Sequence, residues 1–166
     1  MTPETRELID ILEQEHQLYA CMLDRLQREK AVVLGSQGRR LTSLTEEKLA
    51  LSTQLAKLEA QRRLVLNRIA GELNLPTHQL TLRIVARHAD TMAAKRILQV
   101  RDALLDVTRA VKEANEESRR LVQHCLGLVQ GSLSFLRQLI SPPPVYGSSG
   151  GIVANAQNGH FMSGQY

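Results

Sequence analysis

Glu13 and His16 stand three residues apart, the spacing that lets a carboxylate and an imidazole on one helix face share a metal. A di-iron centre in a helical bundle needs that motif on two helices, with a further Glu from each of two others. His78, His88, His124 and His160 have no Glu three residues before them. The pair therefore reads as a Glu and a His on a wet helix face. His124 adjoins Cys125, but neighbours on a helix point about 100° apart and chelate poorly. Cys125 falls on an apolar seam and is expected as a buried structural thiol. With only Cys21 besides, the cysteines make neither a disulfide framework nor a zinc site. There is no Gly-rich phosphate loop and no nucleophile elbow. The expectation is a chain that is not an enzyme, with no catalytic residue, no cofactor and no metal.

Three Arg pairs, Arg39-Arg40, Arg62-Arg63 and Arg119-Arg120, could touch phosphates, and the net charge is +4. They are scattered, with acids on neighbouring turns, whereas duplex binding needs a continuous basic face. Nucleic acid is not an expected partner. With 3% aromatic residues and no Trp, an aromatic-lined pocket or a base-stacking platform is not expected either. No apolar run reaches the ~18 residues that cross a bilayer, so no stable membrane insertion is expected. The opening MTPETRELID is polar and acidic, unlike a secretory signal, which points to the cytoplasm.

The elements that carry these residues are helical. Thr2-Pro3 is a helix start, with Thr as N-cap and Pro in the first turn. Leu8, Leu12, Tyr19, Met22, Leu26 and Val33 then recur on one stripe, which Glu15 and Glu29 share. Gly35-Ser36-Gln37-Gly38 breaks it. A second helix, from about 41 to 73, has the seam Leu41, Leu44, Lys48, Leu51, Leu55, Leu58, Arg62, Val65, Ile69. The three-four alternation is that of helices packed side by side. Lys48 and Arg62 interrupt it, and would face solvent in an asymmetric bundle. Asn74-Leu75-Pro76 ends this helix, since the residue before Pro leaves the helical region. Residues 77–90 read as a short capped helix or an irregular crossover. A third long helix, about 91–140, carries Ile97, Val100, Leu104, Val107, Val111, Ala114, Ser118, Leu121, Cys125, Leu128, Ser132, Phe135 and Leu139. The expected fold is all-α: an elongated antiparallel helical bundle or coiled coil of three long helices, a short crossover helix and a flexible C-terminal tail. The domain boundary is placed after 140. From Ser141 to Tyr166 there is no Asp, Glu, Lys or Arg, and Pro142, Pro143 and Pro144 open that Gly-rich stretch. Monomer and homodimer share this periodicity.

Two stretches could bind a partner. Gly127 and Gly131 lie inside the third helix, where each Gly costs about 1 kcal/mol relative to Ala. Either helices cross closely there, or the helix end is only marginally stable. In the second case Leu126, Leu128, Val129, Leu133, Leu136 and Leu139 are available to a foreign amphipathic helix. In the tail, Val145-Tyr146 and Ile152-Val153 are apolar pairs among Gly, Ser and Asn. They are either part of an inert terminus or a short motif that orders on binding.

Over roughly residues 5–152 the chain resembles the FlgN family of flagellar type III export chaperones. The resemblance lies in LIDILEQEHQLYACMLDRLQREKAVVL, in LTSLTEEKLALSTQLAKLEAQRRLVL with Lys48, Glu59 and Arg62, and in KEANEESRRLVQHCLGLVQGSLSFL. Where the family has Asn-x-x-Asn-x-x-Leu-Ile, this chain has Asn115, Ser118, Leu121 and Val122. PVYGSSGG is similar to the family's Tyr-Gly-x-x-Gly segment; the helix motif adds Leu121 to the candidate residues and the Tyr-Gly segment adds Gly147. The resemblance implies a cytoplasmic chaperone for hook–filament junction proteins. It would bind their C-terminal amphipathic helix, prevent premature assembly and deliver them to the export gate. The tail around Tyr146 would serve substrate capture or gate docking. The alternative is a structural coiled-coil tether or adaptor without a secretion substrate.

Overall fold

The computed structural model describes residues 2–35, 38–140, 145–146 and 152–153. Helix α1 runs Pro3–Leu34, α2 Gly38–Glu72, α3 Leu82–His88 and α4 Thr91–Ile140, with a 3-10 turn at Thr77–Gln79. The fold is all-α in its described body, as the periodicity predicts. Two residue pairs add a short antiparallel ladder, β1 (Val145–Tyr146) with β2 (Ile152–Val153), in the register Val145 with Val153 and Tyr146 with Ile152. The expected flexible tail otherwise lies outside the described residues.

Local chemistry explains the helix ends. Thr2 Oγ1 accepts from the Thr5 amide at 3.2 Å, satisfying one of the amides left over in the first turn of α1. At the end of α2, Asn74 adopts φ 51°, and the Leu75 amide donates back to the Ala70 carbonyl at 3.0 Å. That is a Schellman closure, with Asn in the left-handed place usually taken by Gly. The crossover resolves into the 3-10 turn and α3, which Thr81 caps by accepting from Ile84. Asp90 Oδ1 accepts from the amides of Met92 and Ala93 at 3.1 and 3.0 Å and so opens α4.

Compactness divides the chain into Met1–Gln123 and His124–Tyr166, within α4. In the first unit α2 runs against α1, and Glu13 and Glu29 of α1 meet Arg96 and Ser118 of α4 in ascending order, so α1 and α4 run in the same direction. Its core gathers Leu8, Ile9, Ile11 and Leu12 of α1, Val65 and Ile69 of α2, Val85 and Ala86 of α3, and Ala93, Ile97 and Val100 of α4. Leu8 and Ile97 are completely buried. The short α3 thus contributes two core residues where α2 turns over into α4. All four helices meet there, and the hydrophobic stabilisation concentrates there.

In the second unit the last turns of α4 keep the apolar period without burial. Every residue from Leu126 to Ile140 is exposed, Phe135 at 61% and Ile140 at 79%. Cys125, expected to be buried, is half-buried. The period of a helix records which residues share a face; it says nothing of whether another element covers that face.

Candidate partner-binding surface

On the second unit's part of α4, Cys125, Leu128, Phe135 and Leu139 form one strip at helical spacing. Leu126, Val129, Leu133, Leu136 and Ile140 form the adjacent strip. At ~100° per residue the two cover about half the helix circumference, wider than the single stripe of an ordinary surface helix. From His124 to Ile140 the only Asp, Glu, Lys or Arg is Arg137. Of the residues predicted for partner binding, the structure brings Leu126, Leu128, Val129, Leu133, Leu136 and Leu139 together on this exposed arc. Leu121 lies in the first unit, half-buried. Val145, Tyr146 and Ile152 belong to the β1–β2 ladder. Gly147 lies outside the described residues.

The glycines in this stretch are decided by space. A Cβ built on Gly127 or Gly131 meets no atom within 4 Å among the described residues. Among the described residues no helix crosses closely at either position. Their effect is local, a helix end with two residues of poor helix propensity. Ser132 adds a hydroxyl that bonds back to the Leu128 carbonyl at 2.9 Å.

A second set of functional groups lies inside the first unit, where the sequence shows only interrupted stripes. Glu15 of α1 is buried and accepts from Arg62 Nε of α2 at 3.0 Å. Glu29 of α1 is also buried and meets Lys48 Nζ of α2 at 2.6 Å. Its other oxygen accepts from the Ser118 hydroxyl of α4 at 2.8 Å, so one carboxylate joins three helices. Lys48 and Arg62 are part-buried, and each reaches across the seam to a carboxylate. Burial pushes the Glu15 carboxyl above its ordinary value, with Arg62 pulling it down and Glu59 adding a small push upward. A signal for these pairs was present. The two residue numbers add to the same total in each pair, and the same total joins Leu8 to Ile69, Leu12 to Val65, Tyr19 to Leu58 and Leu26 to Leu51.

The residues weighed for metal chemistry are dispersed. Glu13 is tied to Arg96 at 2.6 Å. His16 lies half-buried beside it in an open groove between α1 and α4, with Gln17 and Gln99. Among the described residues no three His, Cys, Asp or Glu side chains converge as a metal site. No described helix is long and apolar enough to cross a membrane.

Compared with known proteins, residues 1–153 match the family model described as FlgN protein. No curated protein and no solved structure matches.

Proposed function

The chain belongs to the FlgN family, and we propose that it is a cytoplasmic, non-catalytic flagellar export chaperone whose cargo is the C-terminal amphipathic helix of hook–filament junction proteins. Family membership supports the flagellar chaperone role in general. The observation that supports this cargo is the exposed, nearly uncharged apolar arc from Leu126 to Ile140. Contiguous apolar surface on that scale is a feature of binding surfaces. A helix laid along it would be read at helical spacing by Val129, Leu133 and Leu136. Covering the cargo's own assembly helix would hold it unassembled until it is handed to the export gate. Release requires moderate affinity, and a helix end weakened by Gly127 and Gly131 must be ordered at a cost when cargo binds. The tail around Tyr146 contributes to cargo capture or docks to the gate.

Amide hydrogen exchange of the full chain, with and without a peptide of a junction protein's C-terminal helix, tests the reading. Slowed exchange over residues 126–140 supports it. Slowing confined to 145–153 moves capture to the tail. Unchanged exchange throughout contradicts it and favours a coiled-coil tether.

A further inference from the structure

We infer that the two ion pairs with buried carboxylates, Glu15–Arg62 and Glu29–Lys48, form a register lock that holds the α1–α2 hairpin in one of several alignments its apolar seam would otherwise accept. The two pairs sit two heptads apart on both helices. Between and beyond them the facing positions are Leu, Val, Ile, Met or Tyr. Such a seam is nearly indifferent to a slip of seven residues, because apolar side chains meet apolar side chains again. The turn does not decide the alignment by itself. Gly35 and Gly38 offer the chain two places to reverse, and a one-heptad slip moves the reversal by only about that distance.

The charges do decide it. Slipped one heptad in one direction, Glu15 would face Ile69, Arg62 would face Met22 and Glu29 would face Leu55. Slipped in the other direction, Glu15 would face Leu55 and Arg62 would face Leu8. Each alignment buries charges with no partner, which is far more costly than a lost apolar contact. A two-heptad slip could rejoin Glu15 to Lys48 in one direction or Glu29 to Arg62 in the other, but each strands the remaining two charges and strips two heptads of contact. Only the observed alignment pairs all four groups. Ser118 then ties α4 to the same carboxylate, so the alignment extends to the third helix. The raised Glu15 pKa agrees with a carboxylate whose burial is costly, the setting in which an ion pair acts through specificity.

The test uses the full chain with Cys21 and Cys125 replaced by Ser, and spin labels on D10C of α1 and E46C of α2. Both positions are exposed and are separated by ~30 Å along the hairpin axis. A one-heptad slip displaces that separation by about 10 Å. The chain with native charges should give one distance. E15L/R62L/E29L/K48L should add a second distance displaced by about 10 Å, without a lower melting temperature. E15R/R62E/E29K/K48E should return to one distance. A single native distance in the apolar variant overturns the lock. Should the apolar variant fail to fold, E29K and K48E decide. Each alone lowers the melting temperature, and the two together should restore most of it; no restoration overturns the lock.

Discussion

Lys48 and Glu29 meet at 2.6 Å across the α1–α2 seam, and the carboxylate is buried where three helices converge. This pair and its counterpart, Glu15 with Arg62, make the interior of the bundle partly ionic. The exposed end of α4, by contrast, is almost wholly apolar. The usual distribution is inverted at both places, and mutation should separate the two.

Lys48→Met leaves the Glu29 carboxylate buried with only the Ser118 hydroxyl beside it. Breaking a sealed pair costs roughly 3–5 kcal/mol. The Lys48 side chain is 21% exposed, so a loss of about 2–3 kcal/mol in urea unfolding is expected. Arg63→Met removes an exposed pair with Glu59 one turn away and should change stability by no more than about 0.5 kcal/mol.

Leu12→Ala and Leu133→Ala should have opposite phenotypes. Leu12 is buried in the core, and its truncation should cost about 3 kcal/mol. Leu133 is 53% exposed, so its truncation should leave stability within about 0.5 kcal/mol. On the proposed function, Leu133→Ala weakens cargo binding about tenfold. Thermal unfolding and titration calorimetry on the same two proteins read both effects.

Gly131→Ala introduces a methyl into open space. It should stabilise the end of α4 by about 1 kcal/mol, visible as slower amide exchange around residues 128–135. The same change at Gly127 should act alike. Exchange that speeds up instead would mean that a partner element occupies the space.

Glu15 gives a pH dependence whose sign follows from its burial. Its carboxyl is raised on folding above the ordinary value of 4.5. Its stabilising contribution is complete below the unfolded pKa and is lost as pH rises through the folded value. Glu15→Gln abolishes that titration. The stability of the native chain relative to Glu15→Gln should therefore be greatest near pH 4 and decline toward neutrality, as read from urea midpoints at about pH 4 to 7. A difference growing in favour of the native chain with pH would mean that Arg62 outweighs burial.

Much of the helical body is legible in the sequence. The α1 stripe and α2 seam are buried or half-buried at every position, and the Thr2 cap and the α2 stop at Asn74 lie where residue chemistry puts them. The pairing of Glu15 with Arg62 was less accessible. Each charge alone looks like a flaw in an apolar stripe, and only aligning both helices turns four flaws into two bonds. The limits of burial on α4 were not accessible. Ile97 and Leu139 occupy equivalent seam positions, yet Ile97 is completely buried and Leu139 is 66% exposed. Periodicity is a property of one helix, whereas burial belongs to its neighbours. The crossover was legible in type but not in its ends, which depend on the Thr81 hydroxyl finding the Ile84 amide.

The most direct measurement is calorimetric titration of the full chain with the C-terminal helical segment of a hook–filament junction protein from the same source. It is repeated with Leu128, Leu133 and Leu136 replaced by Ser, and with a chain ending at Ser141. The account predicts saturable binding at one chain per segment, lost in the triple variant and retained in the shortened chain. Absence of binding by the full chain, or equal binding by the triple variant, would contradict the assignment of the α4 arc as the cargo surface.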